Sequence, residues 1–177
     1  LRFVGDPAQR IAEDYLRILR FFRFFARYGV GAPDAAALAA CAALKSGMAQ
    51  LSAERVHQEV FKLLVARGVV ESLGAMEKTG VLAQILPEAS GLGDLRRMVA
   101  QDEAQGFTPD AVLRLAALCP AGDLKNRLRL SGAEAARIDA LRTNLPSSPA
   151  LREAEQRAVC HHLGVASFVD TARLAFA

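Results

Sequence analysis

Helix-start signals recur along this chain while strand signals are missing, and that contrast confines the fold to packed helices. Asp6-Pro7 sets a side-chain acceptor at an N-cap and a proline at the first helical position. Gln9 then completes a capping-box pattern. Thr108-Pro109 and Ser148-Pro149 repeat the device. Ser52, with Leu51 and Val56 spaced as a hydrophobic staple, predicts a helix reaching Gly68, and the Ser131/Glu134 box predicts one to about Thr143. Pro33 opens an alanine-rich helix expected to end near Gly47. Further helices are expected around 70–78, 80–86, 92–104, 123–130 and 165–176. No segment sustains the period-2 alternation of a strand. The expected fold is all-α, a neck-and-body assembly of short antiparallel helices.

The chain has 177 residues, enough for one or two small domains with a real core. Apolar residues make up 52%, largely Ala and Leu, with 6% aromatics and no Trp, which suits close helix packing and argues against disorder. The net charge of +3 excludes a polycationic tail, so any nucleic-acid binding has to use a local basic patch. Cys41, Cys119 and Cys160 are odd in number and lack metal-ligand spacing. They read as buried, reduced thiols of a cytosolic protein. No apolar run approaches the ~20 residues of a membrane span, and no signal peptide is evident. Leu1 stands where an initiator Met would be, which suggests a piece of a longer protein.

The most chemical segment is the first helix, expected from Pro7 to stops at Gly29 and Gly31. Residues three apart on a helix step back by ~60°, so Asp14, Arg17, Arg20 and Arg23 form a spiral ~13 Å long. Ile11, Tyr15, Ile18, Leu19, Phe22 and Phe25 fall on the opposite side, facing a core. A carboxylate only accepts hydrogen bonds and a guanidinium only donates them. Cytosine and adenine both offer an amino donor beside a ring-nitrogen acceptor; guanine and uracil offer the reverse. An Asp14/Arg17 pair therefore suits C and A. Against G and U it leaves two mismatched groups at ~1–3 kcal/mol each, a discrimination on the order of a hundredfold. Arg20 and Arg23 could pair with a triphosphate, and Glu13, at i+4 from Arg17, could steady its fork. The same spacing also describes an ordinary solvated helix face, where each pair contributes only about a few tenths of a kcal/mol. Spacing leaves both readings open.

Arg2-Phe3-Val4-Gly5-Asp6-Pro7, Arg10-Ile11, Glu13-Asp14-Tyr15-Leu16-Arg17-Ile18-Leu19-Arg20 and Arg23-Phe24 resemble the neck motif of class II tRNA nucleotidyltransferases. These are the CCA-adding enzymes, grouped with bacterial poly(A) polymerases. Leu51-Ser52, Glu54-Arg55, Glu59 and Lys62-Leu63-Leu64 are similar to the family's next helix, and Met76, Gly80-Val81-Leu82 and Leu86-Pro87-Glu88 to the segment after it. The likeness covers roughly residues 1–90. It implies that Asp14 and Arg17 serve as a protein template for incoming CTP or ATP, with Glu13 supporting. Arg20 and Arg23 match further nucleotide-contacting arginines, and Arg55 and Glu59 a pair bracing the neck helices. The implied partners are the tRNA 3′ end, CTP and ATP, with Mg²⁺ held by a catalytic head.

That head carries a Gly-Ser turn and an Asp-x-Asp metal site, and the chain contains no Asp-x-Asp. Glu153 and Glu155 share the spacing, but on a helix they point ~200° apart. The expectation is thus a neck (1–68), a body (69–145) and the start of a tail or end of the body (146–177), with the head preceding Leu1 and this chain inactive alone. The face left for the head could drive self-association. No catalytic or metal-ligating residue is assigned; His161-His162 beside Cys160 lacks ligand spacing, and His57 reads as structural. Met48, Met76 and Met98 read as packing residues. Arg96-Arg97, Lys125, Arg127, Arg129, Arg137 and Arg142 offer basic groups that a tRNA backbone could use, or plain solvated faces. The alternatives are a poly(A) polymerase using ATP only and a non-catalytic helical RNA-binding or scaffold module.

Overall fold

The computed structural model describes residues 1–143 and 165–175. All regular structure among them is helical, as the capping signals predict. The helices are α1 (Pro7–Glu13), α2 (Leu16–Tyr28), α3 (Ala35–Leu44), a 3₁₀ turn (Lys45–Gln50), α4 (Ala53–Leu64), α5 (Val69–Thr79), α6 (Val81–Ile85), α7 (Gly93–Gln105), α8 (Ala111–Leu118), α9 (Leu124–Leu128), α10 (Gly132–Thr143) and α11 (Val165–Ala175).

The caps explain most of these starts. Asp6 accepts from Gln9 N at 2.7 Å, and Ser52 accepts from Arg55 N at 3.4 Å. The Ser131/Glu134 box closes in both directions, at 2.7 and 3.3 Å. Two starts fall one or two residues later than expected because an aspartate takes the cap. Asp34, not Pro33, accepts from Ala37 N, and Asp110, not Thr108, accepts from Val112 N and Leu113 N. The alanine-rich helix ends at Leu44 and tightens into the 3₁₀ turn, and α4 ends at Leu64 rather than Gly68. The pairs and helix assigned to Ser148-Pro149, Glu153, Glu155 and His161-His162 lie outside the described residues.

The main correction concerns the first helix, which is two. α1 ends at Glu13; Asp14 is extended (φ −158°, ψ 108°), and α2 begins at Leu16. Asp is a poor interior helix residue because its side chain competes for backbone donors. Here Asp14 Oδ1 accepts from Leu16 N at 3.1 Å. The bend serves two packing demands at once: α1 lies on α3, while α2 lies on α4 and α5. Ile11 is fully buried on one side of the joint, and Leu16, Ile18, Leu19, Phe21, Phe22 and Phe25 on the other. Tyr15 packs on Gly47, where a side chain would collide with its ring.

Apart from Phe25, the buried apolar residues form one cluster running from Ile11 to Leu141, with Met48, Met76 and Met98 inside it. α8 packs against α4, α7, α10 and α11. A buried ionic centre ties these together. Arg114 donates to Asp102 at 3.0 and 3.3 Å and to Leu64 O at 2.8 Å, and Arg173 of α11 reaches Asp102 at 2.6 Å. Cys41 and Cys119 are buried, and burial pushes both thiols up to about 12.

Candidate nucleotide-reading site

The joint between α1 and α2 gathers five charged side chains around one bend, four of its own and one from α4. Asp14, at the joint itself, receives Arg55 Nη2 from α4 at 2.9 Å on Oδ2 and 3.2 Å on Oδ1. Arg17, on the first turn of α2, pairs with Glu13 at 2.6 Å and donates to Arg10 O at 2.8 Å. Arg10 also holds Glu13, at 2.8 Å. The Arg17 hydrogen bond, with Arg10 and Arg17 charges beside it, keeps the Glu13 carboxyl below its usual range. The side chains of Asp14 and Arg17 remain 29% and 27% exposed, so each keeps an open edge.

The remaining arginines differ from the uniform exposed row that a single helix would give. Arg20 is half exposed, 3.7 Å from Glu59. Arg23 is tucked in, 15% exposed, 2.6 Å from Glu59 and with its guanidinium 4.3 Å above the Phe24 ring. Glu59 is itself buried on α4. The two α4 residues thus hold different members of the set: Arg55 holds the acid at the joint, and Glu59 holds the arginines further along α2. Arg17, Arg20 and Arg10 border a cavity of about 290 Å³ whose apolar walls include Phe3, Phe21 and Phe24. Phe3 stacks on Phe21 at 5.3 Å. Asp14 stands outside that lining. Arg2, Arg10 and the three phenylalanines were not singled out from spacing as site residues. Arg10, two turns before Arg17, was the legible one.

The basic groups of the second half are largely engaged. Arg127 pairs with Glu88 at 2.6 Å, and Arg137 with Asp110 at 2.8 Å and Asp170 at 2.6 Å. Arg142 donates to the carbonyls of Cys119, Ala121 and Gly122 at 2.7 to 3.0 Å. Arg96, Lys125 and Arg129 are exposed. His57 lies 3.5 Å from Glu134, linking α4 to α10. Among the described residues no cluster of His, Cys, Asp or Glu could hold a metal ion.

Fold and motif together define a helical region of the CCA-adding and poly(A) polymerase class. Residues 32–92 match the family model described as "Probable RNA and SrmB-binding site of polymerase A". Over 141 residues the chain is 36% identical to the mitochondrial CCA tRNA nucleotidyltransferase 1 of Mus musculus, covering 76% of this chain and 32% of that protein. A CCA-adding enzyme of Streptococcus gordonii is 38% identical over 93 residues, or 51% of this chain and 22% of that one. A solved structure described as the complex of a CCA-adding enzyme with CTP superposes with a TM-score of 0.71 at 15% identity, over 96% of this chain and 45% of that one. The chain belongs to the CCA-adding enzyme and poly(A) polymerase family and represents part of such a protein, spanning about a third of the vertebrate relative's length. No described helix is long and apolar enough to cross a membrane. The mouse relative is named mitochondrial, a compartment other than the expected cytoplasm.

Proposed function

We propose that this chain is the neck and body of a CCA-adding tRNA nucleotidyltransferase, in which Asp14 and Arg17 read the pairing edge of incoming CTP or ATP. The observation that carries the reading is the separate holding of the two groups. Arg55 steadies the acid and Glu13 the guanidinium, each 2.6 to 2.9 Å away, while both groups keep an exposed edge. An acceptor and a donor presented side by side match the amino group and ring nitrogen of C and A. Arg20, half exposed beside the cavity, is placed to meet phosphate oxygens. Arg23, braced by Glu59 and covered by Phe24, contributes positive potential more than direct contact.

In this reading residues 1–68 are the neck, 69–145 the body and 146–177 the start of a tail or the end of the body. No cluster of His, Cys, Asp or Glu among the described residues fits Mg²⁺; in this reading the ion would be held by the catalytic head of the parent enzyme, where it would supply the two-metal chemistry of phosphoryl transfer. The tRNA 3′ end would meet the nucleotide at the joint. Replacing Asp14 by Ala in the full-length protein should relax the choice of C and A over G and U on a tRNA lacking its end. Unchanged selectivity would refute the template. A second reading, a poly(A) polymerase, is favoured by the polymerase A description of the matched family model. It predicts long A tails and little C in the same assay.

A further inference from the structure

We propose that α11 is a reversible latch on the body, held by charge pairs rather than by apolar burial, which detaches ahead of the helices beneath it to an extent set by ionic strength. The helix lies on α8 and α10. No described apolar side chain of α11 is buried, and Leu174 is only partly covered where it meets the core. Among the described residues of α11, Thr171 alone is buried, and its hydroxyl donates within the helix to Ser167 O at 2.8 Å. In α8, by contrast, every residue from Val112 to Leu118 is buried. What holds α11 is Asp170, which receives Arg137 of α10 at 2.6 and 2.9 Å, and Arg173, which donates to Asp102 of α7 at 2.6 Å. With little apolar area to lose, the helix depends on those two pairs.

The receiving side is complete without it. Asp102 keeps Arg114 at 3.0 Å when Arg173 leaves, and Arg137 keeps Asp110 at 2.8 Å when Asp170 leaves. Opening therefore strands no buried charge, the event that makes breaking an interior ion pair costly. On the helix Asp170 and Arg173 stand three apart, so once released they can meet each other or water. Docking also carries a cost of its own: Arg173 Nε is buried with no acceptor, and opening returns it to water. The same guanidinium lies 4.6 Å above the Phe107 ring. Opening uncovers that ring and frees Arg137 of one of its two acids.

The test is amide hydrogen exchange of the full-length protein, read by mass spectrometry on peptides from α11 and from α8. Peptides of α11 should exchange at least about tenfold faster, because α11 opens locally while α8 waits for wider unfolding. Raising salt from about 0.05 to about 0.5 M shortens the screening length. That change should speed α11 exchange about two- to fivefold and alter α8 by less than about twofold. Asp170→Asn should speed α11 exchange about two- to fivefold, the scale of a partly exposed pair. Arg173→Gln, which removes a hydrogen bond between nearly buried charges, should speed it about tenfold. Equal protection of α11 and α8 overturns the latch. Exchange of α11 that salt leaves unchanged, or that both substitutions leave unchanged, overturns it too, since apolar contact would then be holding the helix. Should a variant fail to fold, the salt dependence of the unsubstituted protein still decides.

Discussion

Asp102 is 2% exposed and carries two arginines, so removing it isolates positive charge inside the protein. Its Oδ2 receives Arg114 at 3.0 and 3.3 Å and its Oδ1 receives Arg173 at 2.6 Å. Arg114 is 3% exposed and its Nη1 is bound to Leu64 O, so it cannot swing to solvent when the acid is gone. Arg173, 11% exposed over the Phe107 ring, sits nearer the surface and has some room to move. Breaking a buried pair by removing one partner costs ~3–5 kcal/mol, mostly the desolvation of the charge left behind. For a chain of this size, each kcal/mol lowers the melting midpoint by about 2–4 °C, so Asp102→Ala should cost about 6–20 °C. The assay is urea and thermal unfolding followed by far-UV circular dichroism. Replacing Asp102 by Leu together with Arg114 by Met should recover part of the loss, because both desolvated charges go. The recovery should be incomplete, since Leu64 O then loses its donor. A loss below about 1 kcal/mol for Asp102→Ala would refute the claim that this centre holds α4, α7, α8 and α11 together.

Three further outcomes are expected. Gly47→Ala should destabilise by about 1–3 kcal/mol, because its methyl collides with the Tyr15 ring at the α1–α2 joint; equilibrium denaturation of the variant checks this. Burial works to raise the Asp110 carboxyl, but the Leu113 and Val112 N–H groups and Arg137 outweigh it and hold it below its ordinary 3.8. A depressed carboxyl contributes stability above its unfolded value and loses it as pH falls through the folded one. Asp110→Asn, which keeps the cap but not the charge, should therefore flatten the acid side of the stability–pH curve below about pH 4. Cys41 and Cys119, buried with thiols raised to about 12, should resist a thiol reagent in the native protein and react on unfolding; rapid native labelling of either would contradict their burial.

How far the sequence speaks depends on the range of the interaction. Helix starts were legible where the capping residue and its target lie three apart, as with Asp6, Ser52 and the Ser131/Glu134 box. Thr108-Pro109 misled because Asp110 caps the helix two residues later, accepting from Val112 N and Leu113 N. The Glu13–Arg17 pair was legible from i+4 spacing, though it bridges a bend rather than a continuous helix.

The residue types at the joint, an acid flanked by Glu13 and Arg17, were written in local order, as was the helical class of the chain. The break at Asp14 was not, because it arises from α1 seeking α3 while α2 seeks α4 and α5. Nor were the partners of Asp14 and Arg23, which arrive from α4 across forty-one and thirty-six positions. Hydrogen bonds and charge pairs within a turn depend on spacing alone. The register between packed helices depends on how whole side-chain surfaces interlock, and no short window of sequence contains that.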